Sequence, residues 1–312
     1  MAEAIKKVLI FGAGGFVGKY LTDELLTNGY AVTGSDIRVP DWAGADFAKS
    51  DLLNYDDIRT LIADKLPDVI INLAAISSVG QSWKNPQLTI SVNVVGSLNI
   101  LQAVKECYEA GNMPKVMFIG SSEEYAESDR PVNEESLLDS NSPYGISKMT
   151  QERFASLYGR EFGIDVYLVR AFNHTGVGQA DTFVLPSWCK QAAEIDKSGK
   201  PGTINVGNIT VKRDFSDVRD IVRAYRLIIE NGKPGKAYNV GSGTAHSLED
   251  MLKTITALSS QEIKVEVDQD RIRPTDTPVI CCDNSLIREE LGWKPEHDIY
   301  DTLKEMFEYY RR

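Results

Sequence analysis

Tyr144 and Lys148 stand four residues apart in Ser142-Pro143-Tyr144-Gly145-Ile146-Ser147-Lys148, and one turn of helix puts both side chains on one face. A free tyrosine gives up its proton near pH ~10, so using it as an acid or base at neutral pH costs on the order of 4 kcal/mol. An ammonium ~4 Å away, at an effective dielectric of ~20, supplies about that much. An exposed helix turn carries the same spacing by chance, so the setting has to decide. Upstream, the apolar run 116–119 ends in Ser121-Ser122, where a hydroxyl can orient a substrate oxygen beside the phenol.

A second constellation opens the chain. Residues 8–11 run into Gly12-Ala13-Gly14-Gly15-Phe16-Val17-Gly18, a Gly12-x-x-Gly15-x-x-Gly18 spacing where a strand turns into a helix. Glycines there allow a tight turn and let a pyrophosphate approach the backbone, while the helix N-terminus supplies N–H donors. Alone, the triplet also fits a turn with no ligand. Asp36, at the end of the second strand-like segment, adds a carboxylate that can accept from adenosine ribose hydroxyls, and the two together point to a dinucleotide. A carboxylate there repels a 2′-phosphate, which favours NAD(H). Arg38, two residues on, partly offsets it and leaves NADP(H) open.

The elements that must position these groups follow from hydrophobic periodicity. Strand-length apolar runs at 8–11, 31–33, 69–73, 115–119 and 166–169 alternate with helix-period stretches, among them 16–27, 87–110 and 143–162. Continuously apolar strands between helices predict a parallel sheet covered on both faces, hence an α/β, Rossmann-type, doubly wound fold. Beyond about residue 172 the regularity breaks into a helix near 182–197, Gly/Pro-rich turns and a strand at 263–267, while 217–230 and 237–240 resemble the main sheet again. The expected division is a dinucleotide-binding domain from 1–172 plus about 214–240. A smaller, discontinuous C-terminal α/β substrate domain comprises about 173–213 and 241–312.

Composition removes several classes. With 34 Lys+Arg against 45 Asp+Glu, the 312-residue chain carries −11 and repels polyanions, so no nucleic-acid partner is expected. No apolar run is expected to approach the ~20 residues that span a bilayer, and the opening residues lead into a strand instead of a signal peptide. Cys107, Cys189, Cys281 and Cys282, with only three histidines, match neither a metal-ligand spacing nor a disulfide framework. No metal is expected, and the scarcity of histidine argues against a Ser-His-Asp hydrolase. These features predict a soluble, cytoplasmic protein.

Taken together, the glycine turn, Asp36, Asn72-Leu73-Ala74-Ala75, Asn93, Ser121 and Tyr144/Lys148 resemble the extended short-chain dehydrogenase/reductase family of nucleotide-sugar enzymes over nearly the whole chain. The resemblance implies a nicotinamide cofactor held by Gly12, Gly15, Phe16, Val17, Gly18, Asp36, Arg38, Asp51, Leu52, Leu73, Ala74, Ala75, Asn93, Tyr144 and Lys148. It also implies a homodimer joined through helices 87–110 and 143–162 as a four-helix bundle, although by themselves those helices need only cover the sheet.

The runs Ser121-Ser122-Glu123-Glu124-Tyr125, Arg170-Ala171-Phe172-Asn173-His174-Thr175-Gly176, Arg213-Asp214-Phe215-Ser216-Asp217 and Arg273-Pro274-Thr275-Asp276 are similar to the branch acting on GDP-mannose derivatives. That implies a GDP-sugar substrate touching Ser122, Asn173, Arg213, Arg273 and Asp276, with the arginines neutralising the diphosphate. The implied activity is NAD(P)H-dependent reduction of the C4 ketone of GDP-4-keto-6-deoxy-D-mannose to GDP-D-rhamnose. In it Tyr144 donates the proton, Ser121 polarises the carbonyl and Lys148 tunes Tyr144. Glu123 sits where the dehydratases of this branch keep a catalytic glutamate, so GDP-mannose 4,6-dehydration stays open, as does another epimerase or reductase of nucleotide sugars. Ser121 in place of the dehydratases' threonine, and the Glu123-Glu124-Tyr125 run, favour reduction. A non-catalytic cofactor sensor would be expected to lack Tyr144 or Lys148, and both are intact.

Overall fold

The computed structural model describes residues 7–42, 46–108, 113–269 and 277–312. Strand and helix alternate from the start: β1 (Lys7–Phe11), α1 (Phe16–Thr27), β2 (Ala31–Asp36), β3 (Phe47–Lys49), α2 (Tyr55–Lys65), β4 (Val69–Asn72), α3 (Val79–Lys84), α4 (Pro86–Ile90), α5 (Gly96–Cys107), β5 (Lys115–Ser121), α6 (Pro143–Phe162) and β6 (Val166–Ala171). There follow β7 (Asn173–Thr175), α7 (Val184–Ser198), β8 (Gly202–Val206), β9 (Lys212–Asp217), α8 (Val218–Asn231), β10 (Ala237–Val240), β11 (Ala245–Ser247), α9 (Leu248–Ala257), β12 (Ile263–Val267), β13 (Val279–Ile280), α10 (Ser285–Leu291) and α11 (Ile299–Arg311).

Seven parallel strands form the main sheet in the order β3-β2-β1-β4-β5-β6-β10. Alternate residues of each strand serve opposite faces. Val8, Ile10, Val69 and Ile71 pack with Leu21 and Leu25 of α1 and with Val222 and Tyr225 of α8. Leu9, Phe11, Ile70 and Phe118 pack with α2, α5 and Ala155 of α6. Each such side chain contributes roughly 1.5–3 kcal/mol on burial, so both covered faces hold the strand ends in place. The strand order reverses between β1 and β4, which opens a crevice beyond the carboxyl ends.

The second part is made of smaller sheets. β11, β9 and β13 lie side by side with β7 also on β9, and β12 pairs with β8. Leu185, Trp188, Met251, Ile255, Leu303 and Phe307 from α7, α9 and α11 close its core. β9 carries the chain to Asp217, whose side chain caps α8 by accepting from the Arg219 N–H at 2.7 Å. The boundary expected at 213/214 therefore falls inside β9, and the main-sheet share resumes only at Val218.

Two further expectations are corrected. The single helix expected over 87–110 is interrupted by a π-helical turn at Ser91–Val95 between α4 and α5. The helical run Pro86–Cys107, whose most apolar 18-residue window has a mean hydropathy of 1.2, is by length and composition alone able to cross a membrane, contrary to the expectation that no run approaches that length. Half of its most apolar window is buried within the protein, as befits a helix that covers a sheet, and Leu88, Ile90 and Val95 lie on its exposed side.

Candidate active site

The glycine turn sits at the crevice and fits a dinucleotide. Gly12 has φ +81°, and a Cβ there would lie 2.5 Å from the Ala74 nitrogen, so β1 and β4 close up only around a residue with no side chain. The Gly12 and Ala13 N–H groups both donate to the Ser35 carbonyl, at 2.8 and 3.1 Å. Gly15 precedes α1 without any side-chain cap, and the first turn, which carries Phe16 and Val17, holds no acidic residue. A helix start with uncapped N–H groups suits a pyrophosphate. Asp36 is tied to the same turn: Oδ2 accepts from the Gly14 N–H at 3.1 Å and Oδ1 from the Ile37 N–H at 2.7 Å. Arg38 is exposed beside it. Asp51 and Leu52 follow β3, the Leu52 carbonyl accepting from Asn99 at 2.7 Å.

Leu73, Ala74 and Ala75 leave the end of β4, where Asn72 Oδ1 accepts from the Ala74 N–H at 3.2 Å. Asn93, in the π-helical turn, uses its whole amide on the protein: Oδ1 accepts from the Ile76 N–H at 2.8 Å and Nδ2 donates to Ser147 Oγ at 2.8 Å. It ties the loop after β4 to α6. The π-turn is the local irregularity that carries this fully buried asparagine.

Tyr144 and Lys148 lie in the first turns of α6, beside the end of β5. Pro143 at the first helical position and Ser142 Oγ, accepting from the Gly145 N–H at 3.0 Å, fix where the helix begins. Gly145 lets α6 come close, because a Cβ there would overlap Ser140 Oγ and the Glu123 carbonyl. The Tyr144 phenol consequently comes close enough to the Ser121 side chain for that hydroxyl to act on it. Burial raises the Tyr144 phenol above its ordinary value; the Ser121 side chain opposes the rise, and Glu124 and Glu123 add to it. The lowering expected from Lys148 is not found among the groups that act on the phenol, and Tyr144 holds its proton. Lys148 Nζ donates to the Ile119 carbonyl at 2.7 Å and to Gln151 Oε1 at 3.3 Å. Burial pushes this ammonium down to about 8, against the attraction of Glu124.

On the substrate side, Ser122 is buried and Glu123 half-buried in the short 3-10 turn after β5, and Asn173 is half-buried at the start of β7, directly past β6. Arg213 of β9 is 8% exposed, with Nη1 donating to the carbonyls of Lys212 and Thr277 at 2.9 and 2.6 Å. Arg273 and Asp276 lie outside the described residues. Sequence reasoning missed Ser82, whose Oγ accepts from the Tyr144 N–H at 3.2 Å, and Gln151, which reaches the Ile119 carbonyl at 3.1 Å. For Gln151 a signal existed, its place three residues past Lys148 on the same helix face. Ser82 had none. Asp214 stands only within a motif; its buried carboxyl accepts from Ser242 Oγ at 2.6 Å and from the N–H groups of Ser242, Gly243 and Cys282 at 2.8, 2.9 and 3.1 Å, tying the turn after β10 and the segment after β13 to β9.

Comparison with known proteins agrees with this geometry. The chain is 31% identical over 303 residues to GDP-6-deoxy-D-mannose reductase of Pseudomonas aeruginosa, covering 96% of this chain and 95% of the relative. The solved structure of RMD from Pseudomonas aeruginosa complexed with NADPH superposes with a TM-score of 0.84 at 28% identity, covering 98% and 99% of the two chains. UDP-glucuronic acid 4-epimerase from Bacillus cereus, in complex with UDP-glucuronic acid and NAD, gives 0.86 at 27% identity, with 98% and 99% covered. The family model described as GDP-mannose 4,6 dehydratase matches residues 9–306; the chain belongs to that family, within the extended short-chain dehydrogenases/reductases.

Proposed function

We propose that the protein reduces the C4 ketone of GDP-4-keto-6-deoxy-D-mannose to GDP-D-rhamnose. The observation that carries this is the buried Tyr144 set with Ser121 and Lys148 at the carboxyl edge of the sheet, beside an uncapped helix start. Similarity along the whole chain to a GDP-6-deoxy-D-mannose reductase supports the choice of substrate. A bound reduced nicotinamide supplies the hydride. The glycine turn and the start of α1 hold the pyrophosphate, Asp36 the adenosine ribose, and Lys148 the nicotinamide ribose. Ser121 aligns the ketone oxygen and Tyr144 gives it a proton, for which a phenol with a raised proton affinity is correctly charged before the reaction. Asn173, Arg213, Arg273 and Asp276 bind the nucleoside diphosphate.

Asp36 supports a preference for NADH, and the half-buried Glu123 keeps 4,6-dehydration as the second reading. The exposed Leu88, Ile90 and Val95, with Ile146 and Leu157 of α6, support a homodimer through a four-helix bundle. Four free cysteines support a cytoplasmic location. Purified protein given GDP-4-keto-6-deoxymannose and NADH or NADPH should oxidise the cofactor, and GDP-mannose alone should yield no keto sugar. Tyr144→Phe should lose about 1,000-fold in kcat. Keto sugar formed from GDP-mannose assigns the dehydratase, and full turnover by Tyr144→Phe removes the role given to Tyr144.

A further inference from the structure

One acidic group at the site has no part in the chemistry above. Glu124 is completely buried, and its carboxyl lies against Gly120, where a Cβ would overlap Oε1. Oε1 accepts from the Ser121 N–H at 2.6 Å, while Oε2 has no hydrogen-bond partner. Neither nearby cation donates to it. Lys148 Nζ is directed at the Ile119 carbonyl and Gln151. Arg170 is engaged by Glu152 through two bonds of 2.9 and 2.6 Å, by the Tyr125 hydroxyl at 2.9 Å and by the Glu134 carbonyl at 2.9 Å.

We propose that Glu124 is a positioning residue that works as a neutral acid: Oε1 fixes the Ser121 backbone, and the proton it holds leaves the Lys148 charge uncompensated beneath Tyr144. A buried carboxylate with one N–H donor and no paired cation is better off protonated. The groups facing it are Tyr144, Lys148 and Glu152, one helical turn apart along α6, Arg170 on β6, and Glu123 on its own turn. Burial, followed by Glu152, raises its proton affinity, and the Ser121 bond, Arg170 and Lys148 oppose the rise. Arg170 and Glu152 neutralise each other. With Glu124 neutral, Lys148 is the net charge of the cluster and favours the phenolate that forms when Tyr144 releases its proton. An ionised Glu124 cancels that charge and opposes the phenolate, so reduction slows as pH rises through its titration.

The kinetic half of this inference rests on the reductase reading; the protonation half does not. Infrared difference spectra of the full-length protein at pH 7, with and without Glu124→Gln, should show a protonated-carboxyl band present in the wild type and missing in the variant. An unchanged band overturns the proposal whatever the substrate. Glu124→Gln keeps the acceptor for the Ser121 N–H but cannot ionise, so the alkaline fall in kcat should lose the titration that belongs to Glu124 and keep only the one set by Lys148, at about 8 or below. A fall as steep as that of the wild type also overturns it. Glu124→Leu, lacking the acceptor, should lower kcat about tenfold with KM changed less than about twofold; a change confined to KM would mean that Glu124 touches substrate instead. Absence of any ketone reduction by the wild type would sink the reductase reading and leave the infrared result to decide Glu124.

Discussion

The two halves of the site are built from different materials. Around Gly12 the binding surface is backbone: a left-handed glycine, N–H groups bonded to Ser35 and a helix start without a side-chain cap. Around Tyr144 it is side chains, nearly all buried: Ser121, Tyr144, Lys148, Gln151 and Glu124. A backbone site is good for folding as well as for binding, since the same close approach of β1 to the loop after β4 serves both. A buried polar cluster works against folding, because each charge in it has been taken out of water. Substitutions in the two halves should therefore couple stability to activity with opposite signs.

Lys148→Met tests that contrast where the effect is largest. Turnover should fall about 100-fold or more, while the protein without cofactor becomes more stable at pH 7 by on the order of 2 kcal/mol. The sign follows from the depressed ammonium, about 8 in the folded protein against 10.5 for a free lysine. The penalty is fully present below pH 8 and disappears as pH rises toward 10.5, since over that window the unfolded chain holds the proton that the folded one has released. Urea denaturation of both proteins at pH 7 and pH 10 reads it directly, and a gap that widens with pH would break the contrast.

Gly12→Ala should move stability and binding together. The positive φ and the overlap with Ala74 cost roughly 2–4 kcal/mol, and dinucleotide affinity should fall about 30-fold as the turn shifts. Thermal denaturation and a fluorescence titration with NADH check the two quantities. Loss of affinity with no loss of stability would show that the turn is not part of the fold's own closure.

What was legible in the sequence divides along the same line. Gly12, Gly15 and Gly18 could be read because a backbone turn needs those residue types at those spacings, and the α6 span 143–162 followed from its Pro143 start and Gly163 end. The direction of the Tyr144 shift could not be read. A helix spacing places Lys148 on the right face, but how far burial raises the phenol depends on what packs around it. Gly145 and the Glu123 carbonyl settle that through a contact more than 20 residues apart in sequence. Glu124 was hidden for the same reason, as one letter in an acidic run whose two members have opposite environments, Glu123 half-buried and Glu124 fully enclosed. The interruption at Ser91–Val95 leaves no periodic trace, since a single π-turn keeps the chain helical.

Asp36 stands between the two kinds of site and gives the smallest expected effect. Its side chain holds the glycine turn through the Gly14 N–H, a folding role, and its charge selects between ribose and 2′-phosphate, a binding role. Asp36→Asn largely separates them, because the amide oxygen can still accept from Gly14 while the charge, and the acceptor for the exposed Ile37 N–H, are gone. Stability should fall by no more than about 1 kcal/mol. The ratio of kcat/KM for NADH to that for NADPH should fall about tenfold, equivalent to one charge repulsion of about 1.4 kcal/mol, with exposed Arg38 left to attract the extra phosphate. A ratio that does not move would mean that the carboxylate acts only on the turn, and would place cofactor choice with Arg38 and the backbone.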